Sequence, residues 1–227
     1  VSDVDWFEKV VAYLSEKYEM IDTRQLYDYY YNGKKIQNAC LITVDDGHLS
    51  SFDTIYPVLK KYNVPAVFFV SPLIAQRAGA NNFWFQELSD YNQEDVIEII
   101  SEEMGVVYDY SSSFTSNLRK LKVDGLKQVI QIYQAKHHVP AKPSLNMTIE
   151  QIKQIDREGL VEIGAHTLLH PFLATETADR AKREIVESIN QLEEILQHPI
   201  RSFAYPNGTP ILDFTIREME YLKETSV

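Results

Sequence analysis

The sequence predicts an α/β fold whose parallel strands are covered on both faces, and three observations carry that prediction. Short continuous apolar runs, ACLITV, PAVFFV and LVEIGA, alternate with segments whose apolar residues recur at helical spacing. That is the pattern of strands buried between helical layers. At 227 residues, with 44% hydrophobic and 24% charged side chains, the chain reads as one globular domain, 1–227, at the upper edge of what one core holds. Finally, each polar cluster suited to chemistry follows a predicted strand: Asp45-Asp46 after ACLITV, His166 after LVEIGA, and Pro206-Asn207-Gly208 after RSFAY. The carboxyl edge of parallel strands is where α/β folds build active sites.

Taken in order, apolar spacing predicts a first helix over 5–20 and a buried strand over Cys40–Val44 that ends at Asp45-Asp46-Gly47. A helix over Ser51–Tyr62 and a second buried strand over Pro65–Val70 follow. The stretch of about 86–145 is mostly helical and polar, with EDVIEIISEEM and LKQVIQIYQAKH, and reads as an insertion into the strand–helix alternation. The alternation resumes with a helix from Thr148 to Gly159, a start and a stop signal. The strand LVEIGA, a long helix around Ala178–Gln197, a strand RSFAY and a last helix near Asp213 complete the chain.

The net charge of −11, without a basic stripe, disfavours a nucleic acid or an anionic membrane as partner. Cys40 is the only cysteine, which excludes an internal disulfide and thiolate metal clusters; its apolar run makes it a small core residue. No apolar stretch approaches the roughly 18 residues of a membrane span, and no secretory signal is visible. The chain opens VSDV without methionine, so a removed leader or anchor is compatible with it. The compartment, cytoplasm or cell envelope, and the oligomeric state stay open.

His166 and His170 stand four apart in HTLLH, the spacing by which one face of a helical turn grips a metal ion. Two histidines and one carboxylate are a common set for a catalytic divalent metal, because they leave coordination positions for water and substrate. Asp45 and Asp46 are adjacent and point differently, so one can bind the metal while the other accepts a proton from water. Gly47 lets the backbone turn sharply there. Taken alone, Asp-Asp-Gly is a plain turn and HTLLH a pair of surface histidines at a helix start. Together at matching strand ends, they favour a metal. The Pro206-Asn207-Gly208 turn is either only a loop or one that aims a backbone N–H at a developing oxyanion.

The other conspicuous residues take plainer readings. Tyr29-Tyr30-Tyr31 is a half-exposed helix end, with stacking on sugars as the alternative. His137-His138 is a solvated helix terminus, His198 has no chemical role, and Trp84 belongs to the core. His48 follows the Asp-Asp-Gly turn and is a candidate neighbour of the site.

Thr43-Val44-Asp45-Asp46-Gly47 resembles the T-F-D-D-G first motif of the polysaccharide deacetylases (carbohydrate esterase family 4, the chitooligosaccharide deacetylase homology domain). His166-Thr167-Leu168-Leu169-His170 is similar to their H-S/T-x-x-H second motif, and Phe203 to Gly208 to the third in its F-A-Y-P-x-G form. The resemblance covers roughly Ile36–Phe85 and Met147–Glu224, leaving the insertion unmatched. It implies a distorted (β/α) barrel of about seven strands, incomplete at the termini and carrying a helical insertion. It also implies hydrolysis of an N- or O-linked acetyl group on a carbohydrate, with an acetylated glycan as substrate. Asp46, His166 and His170 would hold one divalent metal, usually Zn²⁺, with Asp45 as general base. The Asn207 backbone N–H would hold the oxyanion, and His48, Tyr205 and Pro206 would border the substrate.

Two departures bear on activity. In the fuller third motif an arginine orients the base, and Ala204 stands in its place; Arg201, three residues earlier on a strand, falls on the other face. The family's later motifs, including a histidine general acid, have no counterpart after His198, and a first strand expected upstream of Trp6 is missing. The chain is therefore read as an excised or truncated form of a longer protein, the alternative being a natural loss of catalysis. Two other functions compete: a non-catalytic carbohydrate-binding barrel, and a metallohydrolase of a non-sugar amide.

Overall fold

The computed structural model describes residues 3–76 and 82–227. Helix α1 (Val4–Lys17) starts where the Asp3 side chain accepts from the Trp6 amide at 2.9 Å, an N-cap that satisfies one orphan donor. It stops three residues short of the predicted end. The Asn38 side-chain Nδ2 donates to the Lys17 carbonyl at 2.6 Å, and Tyr18 leaves the helix extended. Glu19–Met20 then form strand β1, followed by helix α2 (Thr23–Tyr31), which an Asp22/Gln25 capping box opens. Tyr29, Tyr30 and Tyr31 at its end are 47%, 71% and 74% exposed, more open than half.

The expected strand at 40–44 is split by Leu41 into β2 (Ala39–Cys40), parallel to β1, and β3 (Ile42–Val44). Cys40 is half-buried there rather than a core residue. A π-helical turn over Ser51–Ile55 runs into helix α3 (Tyr56–Tyr62), which ends on left-handed Asn63. Strand β4 (Ala66–Val70) is buried along its whole length, as its unbroken apolar run requires, and short helix α4 (Pro72–Gln76) follows.

The inserted stretch supplies α5 (Trp84–Leu88), α6 (Gln93–Glu102), α7 (Phe114–Leu118) and α8 (Val123–His137). They close round an apolar cluster of their own, with Ile99, Ile100, Leu126 and Val129 at its centre. Leu168, Leu169 and Phe172, just past β5, join that same cluster. Helix α9 (Ile149–Glu158) begins at the Thr148/Gln151 capping box and ends on Gly159 at φ 73°, both signals acting as the sequence predicts. Strand β5 (Val161–Ala165), a 3₁₀ turn at Leu173–Thr175, helix α10 (Ala178–Leu196) and helix α11 (Ile216–Leu222) complete the described chain.

Strands β3, β4 and β5 lie side by side and parallel, with Val44 opposite Phe68 and Phe68 opposite Ile163. Phe68 and Ile163 face the main core with Leu59, Ile152, Ile155, Ile185 and Ile189 of α3, α9 and α10. RSFAY, expected as a strand, makes only an isolated parallel bridge, Phe203 to Ala165. Ala165 donates to the Ser202 carbonyl and Ala204 to the Ala165 carbonyl, each at 3.0 Å. Glycine at 164 permits this approach, since a Cβ there would sit 2.5 Å from the Phe69 ring and 2.6 Å from Ser202 Oγ. No helix among the described residues is long and apolar enough to cross a membrane.

Candidate active site

Beyond β3 the backbone makes two successive left-handed residues, Asp46 at φ 73° and Gly47 at φ 66°. Aspartate tolerates that conformation better than most side chains, and a Cβ at Gly47 would press on Val70 Cγ1 at 3.1 Å. The turn separates the two carboxylates: Asp45 is exposed and Asp46 partly buried. Asp46 Oδ1 lies 3.4 Å from His166 Nε2 and 3.3 Å from His170 Nε2. Neither contact has hydrogen-bond geometry, so this buried oxygen has no hydrogen-bond partner.

His166 is 1% exposed and extends from the end of β5. Its Nδ1 lies 2.8 Å from the Ala204 carbonyl. A carbonyl can only accept, so Nδ1 carries the proton and the Nε2 lone pair is free to face Asp46 and His170. Ala204, lacking the arginine side chain of the fuller motif, thus orients a histidine through its backbone.

HTLLH does not form the helical face its spacing suggests, nor does it lie on the surface. It is a tight turn with left-handed Thr167 (φ 61°) and His170 (φ 57°), and both histidines are buried. The turn replaces helical hydrogen bonds with side-chain acceptors. Glu184 of α10 takes the Leu168 and Leu169 amides at 3.0 and 2.9 Å, and Thr167 Oγ1 takes the His170 amide at 3.1 Å. The Trp84 indole donates to the His170 carbonyl at 2.8 Å, while Phe83 and Phe85 meet its ring edge-on.

Burial resists ionisation of Asp46, but a proton on either facing Nε2 outweighs that and holds its carboxyl well below the usual range, and a cation among the three would act in the same sense. Burial pushes the His170 imidazole down, toward the neutral form that binds a metal. One nitrogen or oxygen from each of Asp46, His166 and His170 lies within 4.8 Å of the others. An unpartnered buried carboxylate oxygen facing two imidazole nitrogens is a donor set that fits a divalent cation.

These residues open onto a cleft of about 530 Å³ that Asp45, Tyr205, Asn207 and Gly208 also line. Asn207 is left-handed at φ 61° and exposed. Pro206 is buried behind the cleft wall, and His48 lines a separate hollow beside Asp46, its Nδ1 accepting from the Ser50 amide at 3.1 Å. The Asp45 carboxylate has no hydrogen bond among the described residues, and Arg201 lines a hollow with Thr23 and Arg24 near the amino end of β5.

The insertion contributes more to the cleft than its sequence suggests. Its Leu88, Ser89, Gln93, Phe114 and Thr115 line the cleft beside Trp84 and Phe85, which directly precede the insertion. Trp84 is 6% exposed, as a core reading requires, yet it also holds a candidate ligand's carbonyl. Phe83 is 1% exposed, and Phe85 is half-buried in the cleft wall. His137 stacks on Tyr133, His138 caps α8, and His198 bonds Asp156 at 3.0 Å, all outside the cleft.

The sequence model of the family described as polysaccharide deacetylase matches residues 32–223. No match was found among curated protein sequences. Among solved structures, IcaB from Ammonifex degensii is similar over 98% of this chain and 72% of its own, at 22% identity and a TM-score of 0.62. The Streptococcus pyogenes deacetylase PplD, solved in complex with acetate, matches 97% of this chain and 68% of its own, at 18% identity and TM-score 0.60. The deacetylase domain of BpsB from Bordetella bronchiseptica matches 97% and 72%, at 17% identity and TM-score 0.60. At these identities the structural likeness shows an α/β fold in common.

Proposed function

We propose that this chain, which belongs to the polysaccharide deacetylase family of carbohydrate amide and ester hydrolases, removes an N- or O-linked acetyl group from a glycan in a metal-dependent reaction. The observation that carries this reading is the convergence of Asp46, His166 and His170 at the floor of a cleft that Asp45 and Asn207 also line. The same reading takes the sheet as part of a distorted (β/α) barrel of about seven strands. The parallel succession β1, β2–β3, β4, β5 and the Phe203 bridge supports it. Residues 1–227 are taken as one domain, with the helical insertion over about 86–145 as an elaboration of it.

In this mechanism Asp46, His166 and His170 would hold one divalent metal, with Zn²⁺ favoured by the two-imidazole, one-carboxylate set. When bound it supplies Lewis acidity toward the acetyl carbonyl and a water. Asp45, adjacent to a ligand but turned toward solvent, takes the proton that the attacking water loses and returns it to the leaving nitrogen or oxygen as the bond from that atom to the acetyl carbon breaks. The Asn207 backbone N–H donates to the oxygen that becomes negative as the carbonyl turns tetrahedral. Tyr205 borders the sugar, while Pro206 fixes φ one residue before Asn207 and acts on the substrate only through that residue. His48 reaches the substrate only from the neighbouring hollow.

The test is acetate release from a panel of N- and O-acetylated oligosaccharides by the Zn²⁺-loaded chain and its Asp45→Asn variant. Turnover in the parent that falls about 100-fold or more in the variant, with Zn²⁺ retained, supports the reading. A parent that holds Zn²⁺ and releases no acetate overturns it. Glycan affinity indifferent to Asp45→Asn would then favour the carbohydrate-binding barrel, which the unpartnered Asp45 carboxylate motivates. Turnover of non-sugar amides alone would favour the third reading.

A further inference from the structure

We infer that Arg119, at the end of α7 in the helical insertion, is a positioning residue for the oxyanion donor at Asn207. The inference rests on the deacetylase reading of the site. Arg119 Nε donates at 2.9 Å to Oδ1 of Asp213, a carboxylate with no exposure at all. The other oxygen, Oδ2, accepts from the Thr209 amide at 3.0 Å, and the Asp213 amide returns to the Thr209 carbonyl at 2.9 Å. One buried aspartate therefore closes the loop that begins with Asn207 and Gly208, and one arginine compensates its charge.

That loop is held against its own preference. Ile211 sits at φ 73°, a left-handed conformation that β-branched side chains resist. It is 82% exposed, so burial of its side chain does not hold it there. The constraint comes from the Asp213 closure, from the Ile211 amide on the Phe214 carbonyl at 2.7 Å, and from the Phe214 ring stacked 3.9 Å from Tyr205. A donor N–H aimed at a developing charge is effective only where it is fixed before the charge appears.

Arg119 also ties this loop to the histidine turn. Its backbone carbonyl accepts from Thr175 Oγ1 at 2.8 Å, and its guanidinium stands 5.6 Å over the Phe172 ring. Phe172 packs 5.2 Å from Trp84, whose indole holds the His170 carbonyl. Asn207 and His170 are thereby set relative to one another by contacts that converge on one inserted residue. The insertion has a role in the chemistry, not only in walling the cleft.

The experiment compares the full, Zn²⁺-loaded chain with Arg119→Met, Arg119→Lys and Asp213→Asn. Loss of an oxyanion donor costs about 10²–10³ in kcat, so a donor left in place but loosened should cost ~10- to 100-fold. Arg119→Met is expected to show that fall, with KM within about threefold and Zn²⁺ stoichiometry unchanged. Arg119→Lys should recover part of it, and Asp213→Asn should fall in the same direction. Hydrogen exchange supplies a readout independent of turnover. The Thr209 amide should exchange at least ~10-fold faster in Arg119→Met, while Leu168 and Leu169 keep their protection.

A kcat within about twofold of the parent together with unchanged exchange overturns the inference. So does a joint loss of Zn²⁺ and turnover, or a failure of both Arg119→Met and Asp213→Asn to fold, since either makes the pair merely structural. A parent that binds Zn²⁺ without releasing acetate defeats the deacetylase reading instead. The oxyanion role of Arg119 falls with it, and the exchange of Thr209 then reports only whether Arg119 holds the loop closed.

Discussion

Glu184→Ala strips the acceptor from two buried amides in the turn that carries both histidines. Glu184 Oε2 receives Leu168 N at 3.0 Å and Leu169 N at 2.9 Å, while Oε1 receives Arg180 Nε at 3.1 Å. Leu168 and Leu169 are 3% and 7% exposed, so water has little room to replace the carboxylate. Each buried donor left unpaired costs ~1–3 kcal/mol, or ~2–6 kcal/mol for the two. Part of that is returned, because burial pushes the Glu184 carboxyl upward against the pull of Arg180 and the two amides, and alanine has no charge to desolvate. A net loss of ~2–4 kcal/mol remains. At ~2–4 °C per kcal/mol for a chain of this size, the melting temperature should fall by ~5–15 °C. Calorimetry on the metal-free protein at pH 7 reads this without the contribution of metal binding. Glu184→Gln keeps an oxygen for the amides and should lose less than about half as much. A melting temperature within about 2 °C of the parent for Glu184→Ala would refute the view that this carboxylate holds the turn.

Trp84→Phe preserves the packing against Phe172 but removes the donor to the His170 carbonyl. It should weaken Zn²⁺ binding about 10-fold, measured against a competing chelator; unchanged affinity would make the indole a packing group alone. Ser111 and Ser112 hold the Asp109 carboxyl down to about 2. A folded-state value below the unfolded one means that the ionised form supports the loop above the ordinary aspartate range, near 4. That support is lost as pH falls from there toward 2, and amide exchange of 109–113 should rise over the same window. Asp109→Asn should flatten this dependence, and a parent without it contradicts the assignment. Asp45→Asn should lower acetate release while leaving Zn²⁺ bound, which separates the base from the ligands.

The strands were legible because burial on two faces leaves no polar residue to interrupt an apolar run, as in β4 and β5. Helix α9 was legible because Thr148 and Gly159 are its physical start and stop. Strand β1 was not, since two residues carry no alternation, and the ladder at Phe203 is one bridge rather than the five-residue strand that RSFAY suggests. The three residues that converge for a metal were singled out by their places at strand ends. Their support was hidden. Left-handed Thr167 and His170 turn what reads as a helical spacing into a loop, and nothing in their side chains announces that backbone. Glu184, Trp84 and Arg119 act over separations of 15 to 94 residues, where sequence patterns that report local periodicity carry no signal.

The central claim, that Asp46, His166 and His170 together hold a divalent metal, is tested most directly by elemental analysis of the chain prepared without chelators. Asp46→Ala and His170→Ala variants are measured beside it. The parent should carry near one equivalent of Zn²⁺ or another transition metal, and both variants should lose it while their folds are retained. A parent that takes up no metal after Zn²⁺ addition, or variants that keep the parent's stoichiometry, would contradict it.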